Sequence, residues 1–292
     1  MRIAVIGKSG QLAQELLRKN ELRIELTAYG REDINLLDSE SLIKTLSHFQ
    51  PQAIINASAY TAVDKAETDK EQAFLLNVKA VESLAHYCKA RNIHLVHIST
   101  DYVFKGDKGA PYLVSDPREP QGVYGQSKAD GEASLLKIWP DQSCIIRTSW
   151  VYSVFGNNFV KTMLRLMNEK ESLGVIDDQI GSPTWASGLA DAAIFAAINK
   201  IIGIHHWSDL GVASWYDFSV AIQQIAYDKG MLDKKIDINP IPTKAYPTPA
   251  KRPSYSVMDK TSLFKDFKSV SKRHWRAQLE SMLCELESNK NT

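Results

Sequence analysis

Cysteine is scarce in this chain: three residues in 292, Cys88, Cys144 and Cys284. An odd set with no Cys-x-x-Cys spacing excludes a disulfide framework and a thiolate zinc site. Each thiol reads instead as a small buried hydrophobe in a reducing compartment. An excess of one charge is lacking as well. Thirty-five basic residues against 34 acidic ones leave a formal charge of +1, which provides no footprint for nucleic acid or an anionic membrane. No apolar run approaches the ~18 residues of a membrane span. The N-terminal run MRIAVIG breaks at Lys8-Ser9-Gly10, too early for the apolar region of a secretory leader. Internal repeats and low-complexity tracts are missing too. These absences leave a cytoplasmic protein whose partner is a small molecule, not a nucleic acid or a membrane.

What the chain does have is rhythm. Short apolar runs predict strands over Arg2–Ile6, Ile24–Ala28, Ala53–Ile55, His94–Ile98 and Ser143–Arg147. Between them, apolar residues at three- and four-residue intervals predict helices over Gln11–Lys19, Ser39–Phe49, Lys70–Arg91 and Tyr124–Lys137. That alternation is the pattern of βαβ units and a doubly wound parallel sheet, an α/β fold. After about residue 150 the rhythm loosens, with helices expected over Asn158–Met167, Ser187–Asn199, Ser214–Lys229 and Lys272–Leu286. The length allows two domains. Residues 1–150 form a nucleotide-binding domain. Residues 151–292 form mainly a smaller, partly interleaved substrate domain, with some segments returning to the first. The stretch PIPTKAYPTPAKRP, Pro240 to Pro253, admits neither regular helix nor a central strand. It reads as an ordered binding loop carrying Tyr246 and Arg252, or as a disordered linker.

GKSGQLA, Gly7 to Ala13, follows the first strand and opens the first helix. Gly7 permits a tight turn, and Gly10 lets backbone amides approach a pyrophosphate at the helix N-terminus. Gly30-Arg31 follows the second strand, where a carboxylate would bind the ribose 2′-hydroxyl of NAD. Arg31 can accept a 2′-phosphate instead, which favours NADPH over NADH without excluding the latter.

HISTDYVFKG, His97 to Gly106, is an apolar strand that ends in four proton-exchanging side chains. Such a cluster costs desolvation unless something uses it. VYGQSKADGE sets Tyr124 and Lys128 four residues apart, on one face of a helix. A phenol titrates near pH 10, and a neighbouring ammonium would bring it down toward neutrality. The bland reading of the histidines is structural. His94 and His97 pack or hydrogen-bond within the fourth strand, and His205-His206 point to opposite faces of an extended segment.

In order, GKSGQLA, NASAYTAVDKAE, ISTDYVFKG, YGQSKADGE, RTSWVY and AYPTPAKRP resemble the extended short-chain dehydrogenase/reductases, from the first strand to at least Asp259. The resemblance implies a Rossmann domain and, more narrowly, NAD(P)H-dependent reduction of the 4-keto group of a dTDP-sugar, dTDP-4-dehydro-β-L-rhamnose. It makes Tyr124 the proton donor, Lys128 its partner and ribose ligand, and Thr100 the hydrogen-bond donor to the reacting oxygen. Asp101, Tyr102, Trp150 and Arg252 would meet the sugar. Gly7, Gly10, Gln11 and Leu12 would hold the pyrophosphate. Arg31, Asn35 and Leu36, then Ala59, Tyr60 and Thr61, would follow the rest of the cofactor. Related 4,6-dehydratases carry glutamate where Tyr102 stands, so elimination lacks its base here. The alternatives are a sister nucleotide-sugar reductase or epimerase, or a non-catalytic regulatory subunit of the same fold. Some relatives bind Mg2+ through carboxylates that also join a homodimer. Glu15 fits one such position, while Ser187 stands where a second acid is expected, so metal and homodimer both stay open.

Overall fold

The computed structural model describes residues 1–19 and 24–289. Its first half alternates strand and helix: β1 (Arg2–Ile6), α1 (Gln11–Arg18), β2 (Glu25–Tyr29), α2 (Ser39–Phe49) and β3 (Ala53–Asn56). Three helical pieces follow, α3 (Val63–Ala66), α4 (Lys70–Phe74) and α5 (Ala80–Arg91), then β4 (His94–Thr100), α6 (Val123–Ile138) and β5 (Ser143–Thr148). The single helix expected over residues 70–91 is thus interrupted by a π turn, Leu75–Lys79. The second strand runs one residue later than its apolar run suggested.

The second half holds β6 (Val151–Tyr152), α7 (Phe159–Glu169), β7 (Ser172–Ile176), β8 (Ile180–Gly181), β9 (Thr184–Trp185) and α8 (Ala186–Asn199). After these come β10 (Gly203–His206), β11 (Ala213–Ser214), α9 (Trp215–Asp228), β12 (Asp237–Ile241), α10 (Thr261–Asp266) and α11 (Trp275–Ser288). Local chemistry sets several of these ends. Ser214 and Asp217 form a reciprocal capping box at the start of α9, satisfying amides that the first turn leaves free. Asn158 accepts from Lys161 N at the start of α7.

Six parallel strands form one sheet in the order β10-β5-β4-β3-β1-β2. β3, β4 and β5 are almost wholly buried because helices cover both faces. In β1 the alternation is explicit. Ile3 and Val5 join Leu16, Leu189 and Ala193 on the α1/α8 face, while Ala4 and Ile6 join Leu42, Leu46 and Leu84 on the α2/α5 face. A separate core gathers Val160, Met163, Phe218, Ile222, Leu279 and Met282 from α7, α9 and α11. Each fully buried aliphatic side chain contributes ~1.5–3 kcal/mol to holding these layers.

β10 supplies an edge of the main sheet beside β5, and Leu263 and Phe267 join the α1/α8 core. Chain that follows β5 by more than fifty residues therefore completes the layer that β1 begins. The proline stretch starts inside β12, which pairs with β7 alone, an edge position where proline is tolerated. Among the thiols, Cys88 and Cys144 are buried as expected but Cys284 is exposed, because it lies on an outer face of α11.

Candidate active site

β1 is flanked by β2 on one side and β3 on the other, so the chain reverses its winding there. In such sheets a crevice opens beyond the carboxyl ends of the strands. Gly7 leaves β1 with φ +110°, and a Cβ on it would stand 2.9 Å from Ser58 N and 3.0 Å from the Ala57 carbonyl carbon. Only glycine lets the two loops meet this closely. Gly10 then caps α1 in extended conformation, leaving the first helical amides directed at the crevice.

The crevice is a continuous cavity of about 1170 Å³. Of the residues expected at the cofactor, Gly7, Gly10, Gln11, Leu12, Arg31, Asn35, Leu36, Ala59, Tyr60, Thr61, Tyr124 and Lys128 all line it. So do Thr100, Asp101, Tyr102 and Trp150. At the β2 end, Arg31 is exposed. The two acids that follow it are engaged elsewhere: Lys8 Nζ lies 3.1 Å from Asp33 and 3.5 Å from Glu32, and Gly30 N donates to Asp33 at 2.8 Å. The Gly30 amide, then Lys8, holds the Asp33 carboxyl below its usual range.

The Ala59-Tyr60-Thr61 loop is held by a residue that sequence reasoning missed. Buried Asn77 accepts from Tyr60 N at 2.9 Å and donates to Tyr60 O at 3.2 Å. It also donates to Ser127 Oγ of α6 at 2.9 Å. Asn77 sits in the π turn, a distortion that is frequent at functional sites. No periodicity marks it.

At the far wall, Thr100 Oγ1 donates to Asp101 at 3.0 Å and accepts from Tyr102 N at 3.2 Å. Burial pushes the Asp101 carboxyl up to about 6, opposed by hydrogen bonds from Ser256 and Thr100. The half-buried Tyr124 phenol neighbours Thr100, and its ring meets Tyr102 edge-on at 5.5 Å between centroids. Enclosure raises the Tyr124 phenol above its ordinary range, with Thr100 opposing. The expected lowering by Lys128 is therefore not seen in the free protein. The buried Lys128 amine is turned toward the sheet, donating to Ile98 O at 2.7 Å with His97 Nε2 at 3.3 Å. Burial brings its pKa down to about 8, with Glu132 opposing.

Trp150 follows β5 with φ +49°, an uncommon conformation for a bulky residue that marks strain at functional positions. Its indole stacks on Trp215 at 3.5 Å between centroids and 7° between planes. A Cβ on Gly181 would collide with it. Trp215 is a second residue that the sequence did not single out.

Three expected residues stand apart from the cavity wall. Arg252 pairs with Asp64 at 2.6 Å and donates to the Tyr102 hydroxyl at 3.3 Å, bracing that ring from behind. In the same loop Tyr246 is 61% exposed and faces solvent. Glu15, buried on α1, accepts from Ser153 Oγ at 2.6 Å and from Arg18 at 3.3 Å, and Arg18 also pairs with Glu285. Ser187 accepts from Lys19 Nζ at 2.9 Å, and that ammonium also pairs with Asp191 at 2.9 Å. Cationic side chains already occupy this face. Among the described residues no group of three or more His, Cys, Asp or Glu could hold a metal, so the donor set of this chain does not by itself fit Mg2+. No helix among the described residues is long and apolar enough to cross a membrane.

Fold and site together define a class: a dinucleotide-binding α/β oxidoreductase of short-chain dehydrogenase/reductase type. Residues 1–288 match the family model described as RmlD substrate binding domain, and the chain belongs to that family. It is 38% identical to a dTDP-4-dehydrorhamnose reductase of Aggregatibacter actinomycetemcomitans over 289 residues, 96% of this chain and 98% of the relative. Its fold matches a crystal structure of a dTDP-4-dehydrorhamnose reductase from Clostridium acetobutylicum with a TM-score of 0.92 at 33% identity, covering 98% of this chain and 100% of that one. A Bacillus anthracis dTDP-4-dehydrorhamnose reductase in complex with NADP matches with a TM-score of 0.90 at 30% identity, covering 97% and 99%.

Proposed function

We propose that this protein reduces the 4-keto group of dTDP-4-dehydro-β-L-rhamnose to the hydroxyl of dTDP-L-rhamnose. One observation carries the reading. Thr100, Tyr124 and Lys128 share the wall of a single cavity with the Gly7–Leu12 turn and Trp150. The Gly7 cradle, which a side chain would fill, fits a nicotinamide dinucleotide, and the reduced nicotinamide supplies hydride when bound. NADPH would be the preferred form, because exposed Arg31 at the cavity wall could accept a 2′-phosphate while Asp33 is tied to Lys8 and Gly30 N.

The residues' own chemistry follows from their environment. Tyr124 stays a protonated phenol in the free protein, the form a proton donor needs, and hands its proton to the alkoxide oxygen as that oxygen develops. Lys128, near pKa 8, can return a proton to Tyr124 at neutral pH. Thr100 orients the carbonyl oxygen, and the Trp150 indole covers the sugar face. Tyr102, braced by Arg252, offers no carboxylate, so elimination of water has no base. The three cysteines, free of disulfide bonds among the described residues, support a reducing, cytoplasmic setting. No metal-bridged homodimer is part of this reading.

The test is turnover of Tyr124→Phe with NADPH and dTDP-4-dehydrorhamnose, followed by the absorbance of the reduced nicotinamide. We expect a loss of ~10²–10⁴ in kcat, the usual worth of a positioned acid, with NADPH affinity nearly unchanged. Undiminished oxidation of NADPH by the variant rules out the proton-donor role. A wild-type protein that binds NADPH but turns over no 4-keto sugar rules out the activity.

A further inference from the structure

Behind the Tyr124 wall runs a buried chain of polar groups that ends on Lys128 and whose other two members have no part in the reduction above. Asn56 ends β3, fully buried His97 sits in β4, and Lys128 reaches in from α6. The first two are register partners across parallel strands. Asn56 Nδ2 lies 3.1 Å from His97 Nδ1, and His97 Nε2 lies 3.3 Å from Lys128 Nζ.

The polarity of this chain follows from the backbone groups at its ends, whose roles are fixed. Ser58 N–H donates to Asn56 Oδ1 at 3.1 Å, and Ser58 Oγ donates to the same oxygen at 2.7 Å. The amide is thereby oriented, with Nδ2 facing the imidazole. An amide nitrogen offers only hydrogens, so His97 Nδ1 must accept. Burial keeps the ring neutral, which puts its one proton on Nε2. That N–H points at Lys128 Nζ. An ammonium has no lone pair with which to accept it, whereas an amine accepts from Nε2 and still donates to Ile98 O at 2.7 Å.

We propose that Asn56 and His97 are a positioning pair that fixes the imidazole tautomer and so weakens the hold of Lys128 on its proton in the cofactor-free protein. The inference rests on the assignment of Tyr124 and Lys128 made above, and adds how the amine is held. The other charged groups at Lys128 are accounted for. Glu132, one turn further along α6, accepts from Arg147 of β5 at 2.9 and 2.6 Å and from Ser99 of β4 at 2.6 Å. Its hydrogen bonds are thus spent on partners other than Lys128, while its charge favours the ammonium. Tyr124 lies one turn back and is uncharged.

The test is nitrogen NMR of the intact, cofactor-free protein labelled with ¹⁵N at histidine, with His97→Gln used to assign the His97 signals. We expect a neutral ring carrying its proton on Nε2 at about pH 9, above the range in which Lys128 is protonated. An Nδ1–H tautomer or a charged ring overturns the proposal. Asn56→Asp adds a kinetic arm. A carboxylate accepts from Nδ1–H, reverses the tautomer and lets Nε2 accept from an ammonium. The Lys128-dependent limb of the kcat/KM pH profile then moves upward by about one pH unit, a tenfold change in acidity. A variant with the tautomer and pH profile of the wild type refutes the pair's role. The tautomer is read without turnover, so failure of the reductase assignment and failure of this inference give different results.

Discussion

Asp101 is a carboxyl enclosed at the end of β4, 3% exposed, with a pKa up at about 6. The folded protein therefore binds a proton there more tightly than the unfolded chain, whose carboxyl titrates near 3.8. Between about pH 4 and 6 the native state holds more protons, so stability falls as pH rises through that window. Above it the whole cost remains, on the order of 2–3 kcal/mol for a two-unit shift. Asp101→Asn removes the charge while keeping the shape. Urea midpoints for variant and wild type are expected to converge near pH 4 and diverge in the variant's favour at pH 8, while its KM for the 4-keto sugar rises. Equal differences at both pH values would remove Asp101 as the source. At this scale the sequence was informative about identity but not about ionisation. Thr100, Asp101, Tyr124 and Lys128 stood out because polar groups interrupt an apolar run and share a helix face. The direction of the Tyr124 shift did not, because it depends on burial of the phenol in the folded protein, while the lysine faces elsewhere.

At the scale of elements, α6 carries the site because it lies unusually close to its neighbours. A Cβ on Gly125 would fall on the Tyr102 carbonyl oxygen, and one on Gly131 on the Asn77 carbonyl oxygen. Gly125→Ala must push the helix off the Asp101–Val103 turn, moving Tyr124 and Lys128 away from Thr100. We expect a stability loss of ~1–3 kcal/mol, typical of overpacking, visible in thermal melts, and a fall in kcat larger than any change in NADPH affinity. Wild-type kcat in a folded variant would mean that this contact does not position the helix. The helix itself was legible, since its apolar spacing and the Tyr–Lys interval agree. Its glycines were not, because a composition of small residues says nothing about what they face. The π turn around Asn77 was invisible for a similar reason: one widened turn barely alters the three- and four-residue spacing on either side.

For the whole molecule, the sheet is not complete at residue 150. α8 covers one face of β1, β3 and β5, Phe267 packs into the same core, and β10 pairs with β5. A fragment of residues 1–150 would leave that face uncovered and the β5 edge unpaired, a template for association. We expect it to elute as aggregate in size-exclusion chromatography, whereas the intact chain does not. A monomeric, cooperatively folding fragment would show that the later segments are dispensable to the sheet.

The sequence by itself determined the α/β alternation, the glycine turn after β1 and the order of the chemical groups along the chain. Each is a local property, set by backbone sterics or by the period at which apolar residues must recur to be buried. Only the tertiary structure decided that β10 closes the sheet, that Trp215 backs Trp150, that Arg147 and Glu132 form a buried ion pair, and that His97 stands between Asn56 and Lys128. Those contacts join residues tens of positions apart, 41 for Asn56–His97 and 31 for His97–Lys128. Periodicity records that a side chain is buried, while the donor or acceptor that meets it there is chosen by how the elements pack.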